Sequence, residues 1–483
     1  MPDKSIEGEK MTTATNLSRS FWVPLATGIL FVSIGETGGF FDFAFALPPA
    51  LACIAAAFTA LSGTENKRAH NLAALAGVLG MVFGVLGLFL YGFVEGLMLT
   101  GLSAWTFVDA GASAAKTIEP VEGVPAPETG ASFAAKVALD EALLSMISYI
   151  SSFPGKDDIA RIDTEVRAAE ELFEARGWLE KPQEYHRAPL SLEVPQIQTG
   201  TVRTMAGRLD FEALSFESEY EPHPEEPGRD RWLGYIPNRT AHAHVLRHPG
   251  EPRPWIVCIH GYQMGSPLQD FGAFDPQVLH QKMGFNMVLP TLPLHGKRKI
   301  GRISGDGFLR GDMLDTIHAE SQALWDIRRL ISWVRTQDAP TIGVYGLSLG
   351  GYTTSNLVSV EPGLDFAISG IPLTDIAGSF WTHMPDAIVR QFLEAGITPE
   401  RLARITQVVS PLHMQPKVAR ENRAIFGGVG DRLVSPRQVR DLIRHWEEPA
   451  NTWYQGSHIT FMAAPEVKAL IASTLRRATA ANS

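Results

Sequence analysis

Long uncharged apolar runs fill the first quarter of the chain. Ser20–Gly35, Phe43–Gly63 and Leu72–Val94 contain no Asp, Glu, Lys or Arg. A helix needs about 20 apolar residues to cross the hydrocarbon of a bilayer. The second and third runs meet that length, and the first does so only by borrowing residues past Glu36. The pattern therefore predicts two or three transmembrane helices within residues 1–110. Lys67 and Arg68, partly offset by Glu65, sit between the two long runs and favour the cytoplasmic side. Leu72–Val94 then leads outward, so the rest of the chain is expected to be extracytoplasmic. The apolar stretch Gly96–Val108 would return it if it crossed as well.

Residues 111–200 read as a linker followed by a helical hairpin. Pro120, Pro125 and Pro127 stand among small residues, which suits a linker. Ser132–Ile150 places Phe133, Val137, Leu143, Leu144 and Ile147 at helical spacing. Pro154-Gly155 ends it, and Asp157-Asp158 caps a second helix running to about Arg176. The hairpin is expected to bury one face on the next domain.

From about Thr201 the period changes. Ala213–Tyr220 and Ala241–His248 read as edge strands, while Trp255–Ile259, Asn286–Leu289 and Thr341–Tyr345 are short apolar strands. Phe366–Ile371, Ala424–Gly427 and Thr452–Tyr454 continue the series, with helices at Met313–Val334 and Pro465–Arg476. Such alternation predicts an α/β domain over 201–483, with a mainly parallel sheet covered on both faces. The basic cluster Lys297-Arg298-Lys299 with Arg302 reads as a solvated loop.

Composition narrows the function. The 483 residues include 42 Lys plus Arg against 52 Asp plus Glu, a net charge of −10. No nucleic-acid partner is expected at that balance. Two cysteines, Cys53 and Cys258, make neither a disulfide framework nor a closed zinc site. No cofactor is expected.

The chemistry gathers around Gly346-Leu347-Ser348-Leu349-Gly350-Gly351, which follows one apolar strand and precedes a helix. A serine on such a turn is pushed out of the chain, and glycines flank it because side chains would collide there. Ile259-His260-Gly261-Tyr262 ends another strand. The backbone N–H groups of Tyr262 and Leu349 are the candidate oxyanion donors. Gly430-Asp431-Arg432 then places a carboxylate beyond a buried strand, and Ser457-His458 places an imidazole after the last one. Singly, such an aspartate is a turn former and such a histidine a core residue. The order Ser348, Asp431, His458 selects the catalytic reading.

These residues resemble the α/β-hydrolase superfamily over about 209–480. The doubled glycine after the serine resembles its dienelactone-hydrolase and prolyl-oligopeptidase-like branches. The resemblance implies an α/β-hydrolase fold, Ser348 as nucleophile, His458 as general base and Asp431 as the orienting carboxylate. Asp375, after the preceding strand, is the rival acid. It also implies a cap insertion at about 374–413, where Phe380, Trp381, Met384, Phe392 and Leu393 could line a pocket. His260 is not expected to be the base. His295-Gly296 resembles a family loop, although Leu292 and Pro293-Leu294 replace the residues usual there. Residues 1 to about 200 resemble no family.

The chain is thus expected to be a membrane-anchored serine hydrolase that cleaves carboxylic esters or thioesters. Its partners are a small-molecule or lipid-like substrate and the bilayer. A peptidase of the same fold and a non-catalytic scaffold are the alternatives. Glu36, Asp42 and Glu95 would mark a pathway if the helices transported a solute. All proposed catalytic groups follow residue 200, so the catalytic half is expected to be separable near Glu180.

Overall fold

The apolar runs fold as helices that pack through small residues. A computed structural model describes residues 5–61, 67–150, 153–204 and 207–480, with side chains from Arg19 onward. Glu65 lies outside the described residues. The helices are α1 (Ser5–Gly38), α2 (Phe40–Leu61), α3 (Lys67–Leu90), α4 (Phe93–Ala115) and α5 (Ala131–Ile150). Gly77, Gly80 and Gly84 of α3 face Phe107, Ser103 and Thr100 of α4, where an added methyl group would strike backbone or hydroxyl atoms. Gly28 and Gly35 of α1 meet α2 in the same way, so successive helices run antiparallel at backbone contact. A buried bond of 3.0 Å between the Thr27 and Thr106 hydroxyls joins α1 to α4. The outer faces carry exposed Trp22, Phe40, Phe41, Phe58, Phe89, Phe93 and Trp105. Among the described residues three helical stretches, Arg19–Thr37, Phe40–Ala60 and Lys67–Leu90, are long and apolar enough to cross a membrane.

The chain forms two compact units that cut across its sequence blocks. One holds Met1–Ser151 together with Gly428–Pro436 and Trp453–Ala464; the other holds Ser152–Gly427, Arg437–Thr452 and Pro465–Ser483. The two helices expected as a hairpin fall on opposite sides of this division. α5 belongs to the first unit, and α6 (Lys156–Ala175) to the second, where Arg161 pairs with Asp312 at 2.7 Å.

A sheet of nine strands among the described residues runs through the second unit, with the ends of its last two strands assigned to the first. The strands are β1 (Gln196–Thr204), β2 (Gly207–Glu217), β3 (Thr240–Leu246), β4 (Trp255–Ile259), β5 (Asn286–Thr291), β6 (Ile342–Leu347), β7 (Phe366–Gly370), β8 (Arg423–Gly428) and β9 (Ala450–Tyr454). Their order is β1-β2-β3-β5-β4-β6-β7-β8-β9. β1, β2, β3 and β5 pair antiparallel, and β5, β4, β6, β7 and β8 pair parallel. Every residue of β4 to β8 is buried, as a parallel sheet covered on both faces requires. This is the α/β-hydrolase fold.

Between β7 and β8 lie three short helices, Ile376–His383, Asp386–Glu394 and Pro399–Ile405. Their aromatic residues turn inward: Phe380 and Phe392 are buried with ring centroids 4.9 Å apart. The basic cluster at 297–299 is not wholly solvated, contrary to the sequence reading. Arg298 is 1% exposed, pairs with Asp326 at 2.8 Å and donates to the carbonyls of Thr291 and Asn238. The two terminal nitrogens of this buried guanidinium are satisfied by one carboxylate and two carbonyls, while its Nε has no partner among the described residues.

Candidate active site

β6 runs into the Leu349–Val360 helix with only Ser348 between them, so one residue must reverse the chain. Ser348 does so at φ 57° and ψ −115°, a conformation costly for a residue with a side chain. Its N–H donates to Gly370 O at 2.9 Å, and its carbonyl accepts from Tyr352 N–H at 3.0 Å and Leu373 N–H at 3.3 Å. The flanking glycines make the turn possible. A Cβ at Gly346 would overlap the Gly350 carbonyl, and one at Gly350 would overlap the Ile259 carbonyl. Gly261 lies beside the turn, where an added Cβ would sit 3.5 Å from that of Ser348. The amides of Tyr262 and Leu349 have no acceptor among the described residues. The Tyr262 hydroxyl accepts from Arg310 Nε at 3.2 Å, which ties its loop down.

The acid and base candidates lie in the other unit, on the loops that follow β8 and β9. Two backbone bonds run these loops side by side: Val429 N–H to Tyr454 O at 3.0 Å and Gly430 N–H to Gly456 O at 2.8 Å. Asp431 is buried, and its Oδ1 accepts from the N–H groups of Leu433 at 2.9 Å and Val434 at 2.8 Å. Its Oδ2 accepts from Nδ1 of the buried His458 at 2.6 Å. With the proton on Nδ1, the lone pair of the imidazole sits on Nε2, the form a general base requires. Burial opposes charge on His458. The Asp431 carboxylate, by charge and hydrogen bond, and then Asp140 overcome it and hold the ring above its ordinary pKa.

One face of α5 carries both loops. Phe133, Lys136, Val137, Asp140 and Glu141 are spaced to share that face. Phe133 and Val137 close on Gly430, leaving no room for a side chain there. Lys136 Nζ donates to Gln455 O at 2.7 Å. Glu141, itself buried, pairs with Arg432 at 2.6 Å. Asp140 Oδ2 accepts two backbone N–H groups, Arg432 at 3.0 Å and His458 at 2.8 Å. Ala138 and Ala142, on another face, pack with Ala73 and Ala74 of α3 and with Phe107 and Ala110 of α4. The sequence reading had not singled out Asp140. Its signal was available: an Asp-Glu pair adjoining an apolar helical stripe.

The remaining candidates have other work. Asp375 is exposed and caps its helix, accepting from Gly378 N–H at 2.8 Å. Nothing pairs it with a histidine among the hydrogen bonds of the described residues. His260 uses both ring nitrogens, one against Gly261 O at 2.8 Å and one accepting from Leu292 N–H at 3.1 Å. His295 is fully buried, and burial first, then His260, hold it well below the ordinary imidazole pKa.

No family model matches the chain. An uncharacterized protein of Mycobacterium tuberculosis strain H37Rv, Rv2627c, is 40% identical over 319 residues, covering 66% of this chain and 75% of that protein. Its counterpart in strain CDC 1551, MT2702, matches with the same identity and coverage. Among solved structures, the chain is similar to acetyl xylan esterase 1 of Thermoanaerobacterium sp. (TM-score 0.42, 13% identity, 62% of this chain and 92% of that one). It is also similar to an acetyl xylan esterase of Paenibacillus sp. R4 (TM-score 0.42, 15% identity, 60% and 98%). Likenesses this distant carry no argument about substrate.

Proposed function

The chain belongs to the family of the Mycobacterium tuberculosis protein Rv2627c, and we propose that it is a membrane-embedded serine hydrolase acting on carboxylic esters or thioesters. The observation that carries this reading is Ser348 itself, a serine held at φ 57° on a one-residue strand-to-helix turn. Strain of that kind persists where a function needs it.

In the proposed reaction, His458 Nε2 removes the Ser348 hydroxyl proton as Oγ attacks the substrate carbonyl. The developing oxyanion is met by the Tyr262 and Leu349 amides. Asp431 keeps the ring in its Nδ1–H tautomer and stabilises the imidazolium. The tetrahedral adduct collapses as the imidazolium gives its proton to the leaving alcohol or thiol, leaving an acyl-serine. Water, deprotonated by the same nitrogen, attacks the acyl carbon. The acid then departs and Ser348 regains its proton.

A bilayer around α1 to α4 is the second part of the proposal. α4 runs antiparallel along the length of α3, so a membrane that α3 spans would hold α4 too. A fourth crossing returns the chain to the side where α1 begins. Arg19, Lys67, Arg68 and Lys116 all stand at that end, whereas Glu36, Asp42 and Glu95 stand at the other. Positive charge marks the cytoplasmic side, which supports a cytoplasmic hydrolase. The extracytoplasmic expectation places Lys67 and Arg68 on the same side but takes Leu72–Val94 as the last crossing; the proposal differs from it only in letting α4 cross as well.

The test is hydrolysis of short p-nitrophenyl esters and thioesters by the full chain in detergent. Turnover by wild type and its loss in Ser348→Ala is the expected result; equal turnover by both would defeat the proposal.

A further inference from the structure

Asp140 stands out because its carboxylate does something no proposed triad member does. It is fully buried, and Oδ2 alone accepts from the backbones of both catalytic loops, at His458 itself and at the residue after Asp431. Its Oδ1 is buried without a hydrogen-bond partner among the described residues. A carboxylate so placed is costly unless it is needed. Resting on the triad reading, we propose that Asp140 is a positioning residue for hydrolysis: one oxygen, bonded to the N–H groups of His458 and Arg432, fixes the base loop against the acid loop.

The geometry gives the reason. His458 and Asp431 are joined through a single side-chain bond of 2.6 Å, which sets their separation but not the placement of the pair. Asp140 fixes the backbone on both sides of that bond from a helix that belongs to neither loop. Its charge also acts. Burial first, and repulsion by Asp431 second, push the Asp140 pKa up to about 7, while its carboxylate helps to raise that of His458. The charged and titratable groups around the pair are Asp431 and Arg432 from the acid loop, Lys136 and Glu141 from α5, and Lys67 and His70 from α3. Asp140 and His458 therefore titrate as a linked pair.

Two variants of the full chain, assayed in detergent with p-nitrophenyl butyrate, test this. Asp140→Ala leaves two buried N–H groups without an acceptor. We expect kcat to fall about 100-fold, the scale of a small misplacement of catalytic groups, with KM within about threefold. Asp140→Asn keeps an oxygen that accepts both N–H groups, so kcat should return to within about fivefold of wild type. Its lost charge should move the acid limb of the kcat/KM profile to lower pH. A kcat for Asp140→Ala within about threefold of wild type would overturn the inference. So would an acid limb in Asp140→Asn that stays in place, which is the outcome a purely structural role gives. If Asp140→Ala does not fold, the Asp140→Asn profile decides. An active Ser348→Ala in the same assay would remove the triad reading, whereas an inactive one beside a fully active Asp140→Ala would remove only this inference.

Discussion

The Ser348 turn and the loops that carry Asp431 and His458 are held differently. Ser348 is fixed by its neighbours: a strand ending at Leu347, a helix starting at Leu349 and glycines whose missing side chains let carbonyls close in. Asp431 is held locally by the Leu433 and Val434 N–H groups, but its loop and that of His458 are also fixed from afar. Asp140 and Glu141 reach these loops, at Arg432 and His458, across some 290 to 320 positions of chain. A locally fixed group is robust to what happens elsewhere. A group fixed at a distance inherits the stability of whatever fixes it, here a helix packed on the apolar bundle.

Breaking the distant site at its centre should give the largest effect. Asp431→Asn removes the acceptor that selects the Nδ1–H tautomer of His458, and kcat should fall on the order of 10⁴-fold. Steady-state kinetics on a short ester would show it. Asp375→Asn should leave kcat within a few-fold, since Asn caps a helix as well as Asp does. The reverse ranking would move the orienting acid to Asp375.

Removing the support while leaving every proposed triad member in place sharpens the comparison. A protein beginning near Glu180 retains Ser348, Asp431 and His458 but loses Asp140, Glu141 and the Phe133–Val137 face that closes on Gly430. Its turnover of a water-soluble ester should drop on the order of 10²- to 10³-fold even where it stays soluble. Turnover by the truncated protein at the full-length rate would instead show that the loops hold themselves.

The smallest effect is expected beneath the helix that follows Ser348. Glu320 is buried, and its burial raises its pKa to about 8 although Asn356 and Thr353 both donate to it. From about pH 4.5 to 8 the folded protein thus keeps a proton that the unfolded chain has released, so stability falls as pH rises through that interval. Glu320→Gln cannot titrate. Its melting temperature should match wild type near pH 5 and exceed it by roughly 3–6 °C near pH 9. Parallel melting profiles for the two proteins would contradict this.

The contrast also explains what could be read from the chain. β4 and the helix near 313 were placed almost to the residue, because apolar strands and helical spacing are local patterns. The Ser348 turn was legible for the same reason: its glycines are adjacent in sequence. β1 was not, since Gln196–Thr204 is mostly exposed and shows no apolar alternation. Asp140 was not, because its meaning depends on loops some 300 residues away. α4 extends beyond the apolar run Gly96–Val108 at both ends, because Glu95 and Asp109 bound that run while the packing on α3 is continuous. Long-range polar support leaves no period in the sequence.

The central claim is that Ser348 is the nucleophile of a hydrolase. Fluorophosphonate treatment of the detergent-solubilised full chain, followed by peptide mass mapping, tests it most directly. The account predicts a single stoichiometric phosphonyl adduct on Ser348, suppressed in Asp431→Asn and absent in Ser348→Ala. An adduct on another serine, or esterase turnover that persists with Ser348 unmodified, would contradict it.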